Sequence, residues 1–296
     1  MTTCSALSRE LAESLVATAP VATAWIVIEV PGAWGRQALT ECALPDDVGQ
    51  VLLDRCRDTG TTPLLARRPG PAGREPVSSY RVWLAHTTPG ATRMWTASLT
   101  DPRHLLDLDP AALAAGNTPD LGEPSHEPVL FVCANSKRDA CCAQWGRPIA
   151  RALGESAVGD RVWECSHLGG HRFAATALVL PWGTVHGRLD TASAASVLAG
   201  ADTGILDLDN YRGRSALQPW AQAAEIAVRR AHSIVGVEAL QVEGEPPLAH
   251  VHAADGRRWS VVVESSPRTP DRNDSCTGEP VSGTLWHATD VARFTS

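Results

Sequence analysis

Four residues in one stretch of the chain have the types and spacing of metal ligands. Cys133 and Cys142 have eight residues between them, and His167 and His171 flank Leu168-Gly169-Gly170. Two thiolates and two imidazoles suit either tetrahedral Zn2+ or a [2Fe–2S] cluster with two His on one iron. Structural zinc sites usually draw their cysteines from knuckles of roughly two to four intervening residues. An eight-residue gap makes a wider cradle, which suits a two-iron rhomb better than a single ion. The glycine pair disfavours helix, so both imidazoles are expected from a tight loop. Gly169 and Gly170 also let backbone N–H groups approach a bulky inorganic group. Lys137 and Arg138, between the two cysteines, add positive charge that favours a reduced state.

Such ligands need a strand that ends at Cys133 and a helix that opens near Cys142. The pattern predicts strand over 128–133, helix over 142–153, strand over 161–165, a hairpin of 174–180 and 184–189 around Pro181-Trp182-Gly183, and helix over 191–199. This order is thioredoxin-like. Upstream, a strand is expected over 19–30, then a helical pattern from the Pro31-Gly32 turn through Leu52 towards Cys56, broken near Pro45. Further strands are expected over 63–66, 80–86 and 93–99, with a turn-rich loop at 67–76 and a linker at 107–127. Trp34-Gly35-Arg36 echoes Trp145-Gly146-Arg147, each after a strand and entering a helix, so the N-terminal unit reads as a cluster-free, degenerate repeat of the middle one. Downstream come a helix over 215–235 capped by Ser215 and stopped by Gly236, a hairpin of 250–253 and 258–263, and a polar loop at 265–274. The fold class is therefore α/β: a thioredoxin-like domain with the candidate ligands (121–210) between an N-terminal α/β unit (1–120) and a C-terminal α+β region (211–296).

The stretch FVCANSKRDACCAQWGRPIA, with CSHLGGHRFA and LPWGTVHGR, resembles the sucrase/ferredoxin-like family, thioredoxin-like [2Fe–2S] proteins with C-x8-C and H-x-G-G-H motifs. TAWIVIEVPGAWGRQAL and YRGRSALQPWAQAAEIAVR extend the likeness over most of the chain. The resemblance implies that the middle domain is a thioredoxin-like ferredoxin, with Cys133 and Cys142 on one iron and His167 and His171 on the other, and with Cys142 favoured over its neighbour Cys141. Cys165 is a spare ligand by position but reads as an inward-facing strand residue. The implied function is electron transfer through one [2Fe–2S] cluster, one electron at a time and coupled to a proton. Neutral imidazoles in place of two thiolates ease reduction, towards roughly −150 to +300 mV instead of roughly −400 mV. No pair of acids stands out as a glycosidase dyad, so no sucrase activity is expected. Two readings stay open beside it: a structural zinc-binding protein, and a thioredoxin-like thiol–disulfide oxidoreductase, which would lack the usual C-x-x-C.

Composition narrows the partners. The chain has 296 residues, 44% of them hydrophobic and 20% charged, which excludes a disordered tail protein. A net charge of −7 disfavours nucleic acid. No apolar run is long enough for export or a membrane span, so a cytoplasmic protein is expected. No G-x-G-x-x-G fingerprint is present, so a nicotinamide or flavin would reside on a redox partner protein. Cys276 reads as a plain loop thiol, Arg67-Arg68 and Arg229-Arg230 as solvated faces, and His250 and His252 as surface residues. Trp145 and Trp182 are expected near the ligand loops, as shields against water.

Overall fold

Apolar, β-branched runs form the middle of one mixed sheet. In the computed structural model, which describes residues 3–294, helix α1 (Cys4–Glu10) leads to strand β1 (Ala24–Glu29), helix α2 (Asp46–Cys56) and strands β2 (Thr61–Arg67), β3 (Tyr80–His86) and β4 (Arg93–Leu99). Helix α3 (Pro110–Ala114) and the short strand β5 (Glu123–Pro124) follow. Next come β6 (Val129–Cys133), α4 (Ala140–Gly154), β7 (Val162–Cys165), β8 (Ala177–Leu180), β9 (Thr184–His186), α5 (Thr191–Thr203) and β10 (Tyr211–Arg214). The remainder is α6 (Pro219–His232), β11 (Leu240–Glu245), β12 (Leu248–Ala253), β13 (Arg258–Pro267), β14 (Arg272–Asn273), β15 (Pro280–Val281) and β16 (Thr284–Arg293). Among the described residues no helix is long and apolar enough to cross a membrane.

The fold is mixed α/β and thioredoxin-like, and the same strand order occurs twice. In the first half β1 and β2 are parallel across α2, β3 runs antiparallel to β1, and β4 antiparallel to β3. In the second half β6 and β7 are parallel across α4, β8 runs antiparallel to β6, and β9 antiparallel to β8. The halves meet edge to edge: β2 pairs antiparallel with β7, Ala66 opposite Cys165 and Arg67 opposite Glu164. One ten-stranded sheet results, in the order β10-β9-β8-β6-β7-β2-β1-β3-β4-β5.

Side-chain alternation gives each face its own core. Val129, Phe131 and Cys133 share one face with Trp25, Trp83, Trp163 and Cys165, so this core runs across both halves. Trp83 meets Phe131 and Trp163 edge-on, at centroid distances of 5.2 and 4.7 Å. Leu130 and Val132 face the other way, onto Ile149 and Leu153 of α4 and Val197 and Leu198 of α5. At the C-terminus, β11-β12-β13-β16 form a separate antiparallel sheet, and Ala224 and Val228 of α6 pack on Trp259 and Val261.

Several local expectations are corrected. Residues 31–45 are not helical; Trp34 and Leu44 instead fill the first-half core from an irregular connection. Trp34 is pegged there by its Nε1, which donates to Val30 O at 3.0 Å, and by the Arg67 guanidinium 4.3 Å above its ring. Trp34-Gly35-Arg36 thus sits in a loop while Trp145-Gly146-Arg147 lies within α4, so the repeat is one of strand order and not of these residues. Helix α6 begins at Pro219, where the missing N–H costs nothing. Ser215 lies before it and accepts the Trp25 indole N–H at 3.0 Å. The helix ends at Ser233, which takes the left-handed conformation, before Gly236 is reached.

Of the paired arginines only Arg230 is exposed; Arg67, Arg68 and Arg229 are not solvated faces. Arg67 pairs with Glu164 at 2.7 Å, and Arg68 lies 4.0 Å over the Trp163 ring. Arg229 is fully buried against Glu225 at 3.0 Å, and Tyr211 donates to the same carboxylate at 3.0 Å. Removing one partner of such a pair strands a buried charge, which costs about 3–5 kcal/mol.

Candidate metal centre

Cys133 is the last residue of β6 and lies opposite Cys165 of β7. The chain then turns through 134–139 around Asn135, whose Nδ2 donates to Gly35 O at 3.0 Å and whose Oδ1 accepts the Lys137 N–H at 3.1 Å. Asp139 caps α4 by accepting the Cys141 N–H at 2.9 Å, which places Cys142 in the first turn. Gly146 lets that turn close on the strand: a Cβ there would lie 2.1 Å from the Cys133 carbonyl oxygen. Two thiols from opposite ends of the loop are therefore brought together inside the protein, each 1% exposed. A hydrogen bond from the Cys142 thiol, opposed by burial and helped by His167 and the Leu168 N–H, holds the Cys133 thiol well below its usual range. The same hydrogen bond, with burial, pushes Cys142 up.

His167 and His171 come from the loop after β7. Gly169 and Gly170 hold φ of +74° and +70°, a left-handed pair that reverses the chain and that L side chains rarely adopt. The turn stacks the two imidazoles with centroids 4.8 Å apart and planes inclined by 27°. Burial first, then the neighbouring His167, presses the His171 pKa below its ordinary value. Both Nδ1 atoms are buried and lack a hydrogen-bond partner among the described residues. A buried polar atom left unpaired costs about 1–3 kcal/mol, so a ligand for these lone pairs is the economical account. His86 and His186 also carry an unpartnered Nδ1, but neither stands in a group of metal-binding side chains among the described residues. The donor atoms of Cys133, Cys142 and His167 lie within 4.8 Å of one another and could hold a metal ion; His171 falls outside that radius.

Residues 15–213 match the sucrase/ferredoxin-like family. The chain belongs to this family. No curated protein and no solved structure is similar enough to match it. The family segment contains Cys133, Cys142, His167 and His171, whereas Cys4 and Cys276 lie outside it.

In this sucrase/ferredoxin-like chain the remaining candidates divide by position. Arg138 acts on His171 by its charge, while Lys137 is exposed and lines a cleft of about 870 Å3 between the two halves, with Trp34, Arg67, Arg74 and Arg147. Cys165 stays in the sheet core, its thiol pushed up by burial. Cys141 joins a different group: its sulfur lies 3.6 Å from Cys4 and 3.2 Å from Cys276. The Cys4 thiol, against burial and with the Ser5 hydroxyl, brings Cys141 down to about 5. Cys276 is accordingly not a plain loop thiol. Trp182 donates to Ala201 O at 3.1 Å on α5, and Trp145 donates to Ser5 Oγ at 3.1 Å on α1, so their indole N–H groups are engaged with those helices. His250 and His252 are half-buried on β12, and His252 lies 3.8 Å from Glu243.

Sequence reasoning missed the supports. Arg212 of β10 is 1% exposed and donates to Gly169 O at 3.2 Å, to Thr18 Oγ1 at 3.1 Å and to Thr18 O. A Cβ on Gly170 would come 2.3 Å from its Nη2, so the guanidinium is the floor of the His loop. Burial and Arg172 press against its charge, and the Cys133 sulfur favours it. Arg172, next to His171, is held by Glu13 at 2.9 Å and Asp274 at 3.0 Å. Glu13 also takes Arg272 at 3.0 Å and Arg268 at 3.9 Å. The signal available was the run Tyr211-Arg212-Gly213-Arg214, two arginines flanking a glycine in what becomes a fully buried strand.

Proposed function

We propose that this chain is an electron-transfer protein with one [2Fe–2S] cluster, Cys133 and Cys142 on one iron and His167 and His171 on the other. One observation carries the reading. Two buried thiols face two stacked imidazoles with unpartnered Nδ1 atoms, and the second imidazole lies beyond the span of a single-ion group. The donor set of two thiolates and two neutral imidazoles fits a two-iron group. When bound, such a cluster supplies one-electron redox chemistry.

The chain's own residues do the rest. Cys133, whose pKa the Cys142 thiol holds well below its usual range, and the aromatic core around it provide a site of low dielectric. Arg212 and the Gly169-Gly170 turn fix both rings, and His167, half-buried, is the most exposed of the four and the nearest to a docked partner. The partner is a redox protein, and the cleft carrying Lys137, Arg74 and Arg147 offers it a basic surface on a chain of net charge −7.

The test is the visible spectrum of anaerobically purified protein, with iron and sulfide analysis, before and after dithionite. Broad bands that bleach on reduction, with two irons per chain, are expected. A colourless protein with zinc in the Cys133, Cys142 and His167 group would replace this reading with a structural zinc site.

A further inference from the structure

Three thiols that are remote in sequence converge beside the first centre. Cys4 lies in the first turn of α1, Cys141 in the first turn of α4, and Cys276 in the loop between β14 and β15. Their sulfurs form a near-equilateral triangle with sides of 3.6, 3.2 and 3.5 Å. Asp139 completes the group, with carboxylate oxygens 3.8 and 4.0 Å from the Cys4 sulfur. All four donor atoms lie within 4.8 Å of one another, and only Cys276 is more than marginally exposed.

Tetrahedral zinc at about 2.3 Å from sulfur requires S–S edges of about 3.8 Å. The observed triangle is slightly tighter, and an ion at that bond length would stand about 1.2 Å above its plane. Carboxylate oxygen is an accepted fourth ligand. We infer that Cys4, Cys141, Cys276 and Asp139 form a second metal centre, a closed structural site for a thiophilic divalent cation such as Zn2+.

The surroundings are built for it. Asp139 accepts the Cys276 N–H at 2.8 Å and the Cys141 N–H at 2.9 Å, so one carboxylate clamps both thiol-bearing segments before any ion arrives. Ser5 Oγ donates to the Cys141 sulfur at 3.2 Å and receives the Trp145 indole N–H at 3.1 Å, a hydrogen-bonded outer layer of the kind that orients metal ligands. Three thiolates and a carboxylate around a divalent ion sum to −2. The segment that carries Cys276 is itself tied down: Asp274, two positions before it, pairs with Arg172 at 3.0 Å and with Arg268 at 2.5 Å. The sulfurs enter as thiolates, so binding releases thiol protons to solvent. The ion would fasten α1 and the β14–β15 loop to the helix that carries Cys142. This centre does not depend on what occupies the first one.

Metal analysis of the full chain, expressed with zinc and iron and purified without chelator, tests the proposal. Expected is about one zinc per chain, falling to below about a tenth in Cys4→Ser and Cys276→Ser while iron content and visible absorption persist. Cys133→Ser should show the reverse, iron lost and zinc kept. Should the serine variants not fold, cobalt added to chelator-stripped Cys133→Ser provides the readout: thiolate-to-cobalt charge transfer with tetrahedral d–d bands is expected. Zinc at background in the wild type, zinc retained when Cys4 and Cys276 are both serine, or absent cobalt bands would overturn it. So would a metal-free chain about 2 Da lighter than its sequence, the signature of a Cys141–Cys276 disulfide.

Discussion

The two halves of the large sheet share a strand order, yet among the described residues only the second gathers within itself a group of side chains that could hold a metal. The difference lies in the connection between the first strand and its helix. In the second half, residues 134–139 turn at once into α4, so the helix N-terminus abuts the strand end and sets Cys142 against Cys133. In the first half, residues 30–45 wander over the core before α2 begins, and the cysteines there, Cys42 and Cys56, fall in the connection and at the far end of the helix. The return strands differ likewise: β7 runs into the His167 loop, β2 into Arg68 and a short 3-10 turn at Gly70–Arg74. Two short loops thus distinguish the candidate metal centre from its counterpart, while the strand order beneath is the same.

The sharpest way to break this contrast is to exchange sulfur for oxygen in each half. Cys133→Ser or Cys142→Ser should cut bound iron by more than about tenfold, whereas Cys56→Ser should leave it intact. Equal loss in all three would show that the halves are not chemically distinct. Next in size, His171→Cys should retain a cluster and lower its potential by on the order of 100 mV or more, measured by redox titration. The wild-type potential should rise as pH falls if a ligand imidazole takes up a proton on reduction; a flat profile from about pH 6 to 9 would remove the proton coupling.

Glycines after the two return strands give a third comparison. Gly170→Ala meets both a φ of +70° and the Arg212 guanidinium and should cost about 1–3 kcal/mol in urea unfolding. Gly70→Ala has a similar φ of +71° but open space, and should cost about 1 kcal/mol. Buried histidine supplies a pH signature. Burial, then Arg212, lowers His186 from 6.5 to about 3, so the folded chain stays neutral there while the unfolded chain takes up a proton. Unfolding free energy should therefore fall by about 1.4 kcal/mol for each unit that pH is lowered from 6.5 towards 3, and His186→Gln should flatten the slope. The smallest effect separates Arg138 from Lys137. Arg138→Gln should lower the potential by on the order of tens of millivolts, while Lys137→Gln should mainly slow reduction by the partner at low salt.

What was legible in the sequence was local. Strands β3 and β4 match their expected ranges end to end, because each is a short run containing strand-favouring residues such as Val82, Trp83 and Trp95, bounded by turn signals. The ligand motifs were readable because each pair, Cys133 with Cys142 and His167 with His171, is closed by one short stretch of chain. The apolar residues of 31–45 mimic a helical period, but Pro45 starts the helix and tertiary packing uses Trp34 and Leu44 from a loop. Arg229 read as a solvated face because charge usually marks surface, and nothing local set Arg212 or Arg214 apart; only the fold supplies the carbonyls and carboxylates that make their burial tolerable. The Cys4, Cys141 and Cys276 group was invisible for a simpler reason, since its members are 135 to 272 positions apart.

That separation also sets an order of events during synthesis. His171, the last member of the first ligand set, leaves the ribosome well ahead of Cys276, by about 5–20 s at ordinary elongation rates. For that interval the second half can fold while the C-terminal hairpin, with Arg268, Arg272 and Asp274, has yet to arrive and pin Arg172 and Glu13 beside the His loop.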